Sequence, residues 1–365
     1  MPTGAGIELA RRYFERLVRP VLAGRFPRLP YAAARLGSGS DVLGLDDEVS
    51  RDHDWGCRLH VVLETDDADA AADVEDALDR ELPDTFEGHP VRFATSWSPR
   101  AQLQVEITSV AELTRSRLGL DATRPLDPLD WLVMTGQSVL EVIGGAVFFD
   151  GPGTLTRVRN DLAWYPDEVW RLAVAADWAR LEQELPFVVR TASRNDEPGS
   201  RVIAARLVRV QVHLAFLLSR RWPPYPKWEG TAFRELAVAA ELAPRHDAVL
   251  VADDPVAREG ALCDGAGVLA RRQRSLALPA PDEVIVPFHD RPIRTVSADL
   301  ADGLLDSVTD PVLRALPRGM GTVEQWVDNV DLLSWPSRRA TLRSAYEAIA
   351  AAGGADPARP IASSP

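Results

Sequence analysis

Lysine is nearly missing from this chain. Of its 41 Lys and Arg residues only Lys227 is lysine, which leaves 40 arginines. Arginine therefore serves wherever any positive charge suffices, and the one position that stays lysine becomes a candidate for a specific task. Cysteine is scarce too: Cys57 and Cys263 make neither a disulfide framework nor a CxxC metal pair. No apolar run approaches the roughly 20 residues of a membrane-spanning helix. The opening MPTGAGIELARRYFERL reads as an amphipathic helix without the continuous apolar core of a signal peptide, so a cytoplasmic protein is the simplest expectation. A GxSxG elbow is absent, which leaves a serine hydrolase unsupported. Histidines and cysteines are scattered, which does the same for zinc. A net charge of -13 repels a phosphate backbone over most of the surface, so an extended nucleic-acid groove is disfavoured and a neutral or cationic small partner is favoured.

What remains is an ordinary globular composition, 46% hydrophobic and 26% charged, over 365 residues, enough for two or three domains. Residues 5–24 carry helical spacing, ended by Pro27 and Pro30. Residues 31–36 and 59–64 (LHVVLE) read as strands, residues 67–82 as a helix with an acidic first turn, and residues 90–96 and 102–108 (QLQVEIT) as alternating strands. From Pro128 onward the pattern turns helical, starting with DWLVMTGQSVLEVIG as one helix. The expected fold is thus α+β: an N-terminal mixed sheet with helices over residues 1–125, a mainly helical domain over 126–352, and a disordered tail over 353–365.

The most informative stretch is residues 36–56, LGSGSDVLGLDDEVSRDHDWG. It lacks the Gly-Lys-Ser/Thr ending of a P-loop, the third glycine of a dinucleotide fingerprint, and the remaining ligands of an EF-hand loop. In an extended segment Asp52 and Asp54 would point to one face, and two bare carboxylates that close repel unless a cation lies between them. The hard divalent ion that suits oxygen ligands and accompanies nucleotide phosphates is magnesium. A third carboxylate would complete a two-metal site. Glu106 is the first candidate, on the polar face of QLQVEIT, with Asp121 and Asp127 ranked below it. The Gly37/Ser38 turn offers backbone N–H groups and a hydroxyl to phosphates. Acid clusters are usually solvated faces or helix caps, and Asp41, Asp46, Asp47 and Glu48 are read that way. His53 points away from the two aspartates and is read as a hydrogen-bonding residue rather than a ligand.

An apolar residue, Gly-Ser, a spacer and Asp-x-Asp resembles the signature of the DNA-polymerase-β-type nucleotidyltransferase superfamily, which includes the aminoglycoside and minimal nucleotidyltransferases. More narrowly, GSGSDVLGLDDEVSRDHDWG is similar to the bacterial nucleotidyltransferase-like family DUF4037. The segments YPDEVW (165–170), PYPKW (224–228), FHDRPI (288–293) and GTVEQWVDNVDLL (321–333) extend that similarity over most of the chain. The superfamily motif carries over onto Gly37, Ser38, Asp52 and Asp54. Glu106 carries over by strand position alone, and the Ser38-to-Asp52 spacer is slightly longer than usual. DUF4037 implies no substrate.

Lys227 lies in RRWPPYPKWEG, where Pro223, Pro224 and Pro226 are expected to forbid helix and make a rigid elbow. Its compact charge suits the β- or γ-phosphate of a nucleotide, against the plainer reading of a surface lysine on a turn. Tyr225 and Trp228 are read first as packing residues. His289, Asp290 and Arg291 form a proline-flanked loop that is a candidate lining of an acceptor pocket. Arg206 and His213 have the Arg-x6-His spacing that also occurs in HEPN-type ribonucleases, but forty arginines generate such a spacing by chance.

The resulting expectation is transfer of a nucleoside monophosphate, AMP from ATP in the first instance, to a hydroxyl of a small molecule, with pyrophosphate released. Asp52, Asp54 and Glu106 hold two Mg²⁺ ions, with Glu106 a ligand or the base. Gly37, Ser38 and Ser40 hold the triphosphate with Lys227. The alternatives are a protein or tRNA acceptor, and a sensor that binds nucleotide without catalysis.

Overall fold

The computed structural model describes residues 4–47, 55–95 and 98–353. Asp52, His53, Asp54 and Glu48 lie outside the described residues, as does the tail from residue 354. The chain divides into two compact units, Met1–Leu126 with Ser138–Ala163, and Asp127–Gln137 with Trp164–Pro365.

The first unit opens with helix α1 (Ala5–Tyr13), which passes through one π-helical turn (Phe14–Val18) into α2 (Arg19–Arg25). Its free N–H groups are capped from a distance: the Asp46 carboxylate accepts from Gly4 N (2.7 Å) and Gly6 N (2.9 Å). Strands β1 (Tyr31–Arg35) and β2 (Leu59–Leu63) follow, and then α3 (Ala68–Glu81), capped by Asp67 through Ala70 N. Two short strands, β3 (Thr85–Phe86) and β4 (His89–Pro90), and the hairpin β5 (Arg92–Thr95) and β6 (Ser98–Leu103) precede β7 (Val105–Ser109) and α4 (Val110–Leu118). After an excursion into the second unit through α5 (Pro128–Leu132), the chain returns by α6 (Gly136–Ile143) to β8 (Ala146–Asp150) and α7 (Thr154–Asp161).

Four strands make the main sheet in the order β7-β2-β1-β8. β2 and β7 are parallel; the other two pairs are antiparallel. The odd positions Leu59, Val61 and Leu63 join Tyr13, Phe14, Val18, Leu22, Val74 and Leu78 in the core, which fixes the register. Residues 102–108, expected as one strand, are two. At Gln104 the chain leaves the hairpin for the main sheet, with the Gln104 side chain donating to Phe93 O (2.7 Å) and its carbonyl accepting from Leu59 N (3.0 Å). The segment 130–144, expected as one helix, breaks between α5 and α6, and the next strand, β8, was not apparent from the helical reading of that region. β8 is half-buried throughout and follows a glycine pair that turns the chain. Asp46 is a helix cap, one of the two expected readings, though a buried one; Asp41 departs from both, because it is buried against Arg35.

The second unit is mainly helical, as expected. The long α8 (Asp167–Ala192) packs along α9 (Glu197–Leu218), and α10 (Pro226–Phe233), α11 (Ala239–Val251) and α12 (Pro255–Ser275) follow. A small hairpin, β9 (Ile285–Pro287) with β10 (Arg294–Val296), leads to α13 (Asp299–Leu305), α14 (Pro311–Arg314), α15 (Val323–Trp326), α16 (Val330–Ser334) and α17 (Pro336–Gly353). Trp170 and Trp178 are fully buried in α8, and their ring N–H groups donate to Leu217 O (2.8 Å) and Gln273 Oε1 (2.6 Å). These tryptophans are core residues with satisfied donors. Among the described residues no helix is long and apolar enough to cross a membrane.

Candidate nucleotide site

The turn after β1 is built around a buried arginine. Arg35, the last residue of β1, is 1% exposed. Its Nε and Nη2 grip the Asp41 carboxylate at 2.7 and 2.8 Å, while Nη1 donates to Leu36 O and Nη2 also donates to Ser38 O (3.1 Å). A guanidinium fork meets a carboxylate two-pronged, so this pair fixes direction as well as distance. Between its ends lie Gly37 at φ +77° and Gly39 at φ +145°, conformations that suit glycine. Gly37 N donates to Glu141 O in α6 (2.8 Å), and Arg58 Nη1 donates to Ser38 O (3.0 Å). Ser38 and Ser40 are half-buried at the mouth of this turn.

Glu106 enters from β7. The parallel register sets it opposite His60 of β2, so both side chains leave the same face of the sheet. The His60 Nε2 to Glu106 Oε2 distance is 3.3 Å. Neither ring nitrogen of this 2%-exposed histidine has a well-aligned hydrogen bond. Arg117, in the last turn of α4, spans both Glu106 oxygens at 3.2 and 3.4 Å and comes within 3.9 Å of Glu141. A Cβ on Gly37 would stand 3.4 Å from Arg117 Nη2 and 3.6 Å from His60 Cε1. The glycine turn and Glu106 therefore meet around Arg117 and His60. Burial pushes the Glu106 carboxyl upward, but His60, Arg117 and Arg58 outweigh it and hold it down at about 2. Burial dominates His60 in the other direction and lowers it, against the pull of Glu106.

Of the expected carboxylate trio, Glu106 is the member whose place is described. Among the described residues no three His, Cys, Asp or Glu side chains gather into a metal-binding group. Glu106 still fits a hard cation: it is ionised, and its side chain is 45% exposed. The lower-ranked acids are engaged elsewhere. Asp121 accepts from Thr123 N (2.9 Å) and Thr123 Oγ1 (2.6 Å), and Asp127 caps α5 and pairs with Arg343 at 2.6 Å.

In the second unit Lys227 is the second residue of α10, with Pro226 at the first position. Residues 221–225, which include Pro223 and Pro224, are free of helix as expected, but Pro226 does not forbid one. Proline's fixed φ and missing N–H are tolerated at a helix start, and Pro226 begins one. Lys227 is exposed, its Nζ 5.0 Å from the Trp228 ring centre. His289 and its neighbours form the exposed turn between β9 and β10. Arg206 and His213 are held by different carboxylates of α8, Glu184 at 2.6 Å and Asp177 at 2.6 Å. Tyr165 packs tilted against Trp222 (4.2 Å between ring centres), Tyr225 N donates to Gln137 Oε1 (3.2 Å), and Gly136 N donates to both Glu324 oxygens (3.1 and 3.2 Å).

Residues 131–229 match the model of the family described as "Domain of unknown function (DUF4037)". That stretch includes Lys227 and ends before Glu324; it does not include Gly37 or Glu106. Among solved structures, the chain is similar to a nucleotidyltransferase-like protein from Exiguobacterium sibiricum 255-15, at 14% identity over 76% of this chain and 83% of that one, with a TM-score of 0.33. No curated protein matches the chain.

Sequence reasoning named Gly37, Ser38 and Glu106 here but missed Arg35, Arg58, His60 and Arg117. Arg35 and His60 had a signal: each is a polar residue in an otherwise apolar strand, YAAAR and LHVVL. Arg117 had none, because its helix phase relative to Glu106 is a tertiary fact.

Proposed function

We propose that this protein is a magnesium-dependent nucleotidyltransferase, moving AMP from ATP to a hydroxyl of a small molecule. One observation supports this most: the Gly37/Ser38 turn and the ionised Glu106 lie together, joined by Arg117, His60 and Arg58. Asp52 and Asp54, from the chain between β1 and β2, complete the donor set in this reading. Bound magnesium would lower the pKa of the attacking hydroxyl and offset the triphosphate's charge. The acceptor oxygen then bonds to the α-phosphorus, the bond to the bridging oxygen breaks, and pyrophosphate leaves with that electron pair. A carboxylate held at about 2 is a weak base, so Glu106 serves as a ligand, and the hydroxyl proton goes to solvent. Gly37 and Ser38, with Ser40, take the triphosphate. The acidic surface suits a neutral or cationic acceptor.

A sensor that binds nucleotide without transfer is the second reading, and the engagement of Glu106 by Arg117 is the observation in its favour. The test is calorimetric titration of each nucleoside triphosphate, with Mg²⁺, into wild type and the Asp52→Asn/Asp54→Asn double variant. Magnesium-dependent binding that the variant loses is expected. No binding to folded wild type would remove both readings; binding without pyrophosphate release across an acceptor panel would leave the sensor.

A further inference from the structure

Arg117 engages the carboxylate that the nucleotidyltransferase reading gives to a metal. Its guanidinium covers both oxygens of Glu106, at 3.2 and 3.4 Å, and lies 3.9 Å from Glu141. The same Nη2 is 3.4 Å from where a Gly37 Cβ would stand, so it also borders the turn assigned to the triphosphate. The arginine is anchored by a helix: Ser109 caps α4 through Glu112 N (3.0 Å), and Gly119 at φ +82° closes it just beyond Arg117. Only the long side chain has to move to exchange one partner for another. The side chain is 23% exposed, which leaves it room.

Charge decides what must happen when a divalent ion arrives. A divalent ion on Glu106 would share a carboxylate that a guanidinium already contacts at both oxygens, and two cations on one carboxylate repel. Nucleotide phosphates bring the anionic oxygens that a displaced guanidinium binds best, two-pronged. We propose that Arg117 is a resident counter-ion for Glu106 that competes with the divalent ion and passes to the nucleotide's phosphates when the metal takes the carboxylate. The inference rests on the nucleotidyltransferase reading of Glu106. It makes metal and nucleotide binding cooperative, because each ligand removes a cost the other would bear alone.

The experiment titrates Mn²⁺ alone, followed by electron paramagnetic resonance, into wild type, Arg117→Gln, Arg117→Lys, Asp52→Asn/Asp54→Asn, and the Glu106→Gln and Arg117→Gln/Glu106→Gln pair. A non-transferable ATP analogue is then titrated at saturating Mn²⁺. Arg117→Gln should bind Mn²⁺ about fivefold tighter, as loss of a partly exposed ion-pair competitor allows, and the analogue about tenfold weaker. Arg117→Lys should fall between, since it keeps the charge without the fork. The tightening should vanish when Glu106 is also Gln. Unchanged or weaker Mn²⁺ binding by Arg117→Gln, with circular dichroism showing a native fold, overturns the proposal while wild-type binding lost in Asp52→Asn/Asp54→Asn leaves the nucleotidyltransferase reading standing. Tightening by Arg117→Gln with Mn²⁺ binding that ignores the aspartates supports the exchange and overturns the three-carboxylate site. Absence of Mn²⁺ binding in every variant overturns both.

Discussion

Removing one half of the Arg35–Asp41 pair should unfold the first unit far more readily than removing both halves. The Arg35 side chain is 2% exposed and the Asp41 side chain 7%. Their two-pronged contact at 2.7 and 2.8 Å engages both oxygens of the Asp41 carboxylate. Asp41→Ala would leave a guanidinium buried against the backbone carbonyls of Leu36 and Ser38 without its counter-charge, and Arg35→Met would leave a buried carboxylate alone. Breaking a buried pair on one side costs about 3–5 kcal/mol, because the surviving charge has lost both water and partner. With a urea slope of about 2–3 kcal/mol/M, either change should lower the midpoint by roughly 1–2.5 M. The double variant Arg35→Met/Asp41→Leu buries no charge and should recover most of that loss. It should not recover nucleotide binding, because the carbonyls of Leu36 and Ser38 still lack the donors that shape the turn. Urea denaturation followed by far-ultraviolet circular dichroism, with calorimetry of nucleotide binding alongside, checks both halves. Single variants within about 1 kcal/mol of wild type, or a double variant no better than either single one, would refute the reasoning.

Two further perturbations probe the same architecture, beside the aspartate and Arg117 variants already described. Gly37→Ala forces a Cβ into a left-handed position, 3.4 Å from Arg117 Nη2, and should cost about 1–2 kcal/mol of stability along with nucleotide affinity; thermal melting and calorimetry read the two effects. His213 gives a pH signature in the second unit. Burial lowers it, but Asp177 and Glu324 outweigh burial and push it up to about 10, so the folded state holds its proton more tightly than the unfolded chain does. That stabilisation is complete below about pH 6.5 and is lost as pH rises through 10. His213→Gln should flatten the decline by at least about 2 kcal/mol in a stability–pH profile, and an unchanged slope would mean that the histidine is not charged in the fold.

How much of this was legible before folding depends on range. Period-two and 3.6-residue patterns report which face of a local element is apolar, so β1, β2 and α3 were readable within a residue or two. Helix caps such as Asp67 are local chemistry as well. β8 was not readable: it lies inside a helical stretch, and its partner is β1, more than a hundred residues earlier. Proline at 226 was misread because the same residue that breaks a helix from inside also begins one, and only the neighbouring backbone tells the two apart. Asp46 is the helix cap that was one of its two expected readings, but Asp41 was misread because acids in a row look solvated until a partner such as Arg35 is known.

The sequence by itself determined the α+β-then-helical order, the glycine-serine turn and the polar face on which Glu106 stands, since these rest on residue type and short spacing. Tertiary structure decided the rest of the site. Strand register set His60 opposite Glu106, and the phase of α4 brought Arg117 onto both. Electrostatics acts through space, so the groups that fix the charge state of Glu106 are spread from Arg58 to Arg117 along the chain and become neighbours only when the sheet forms.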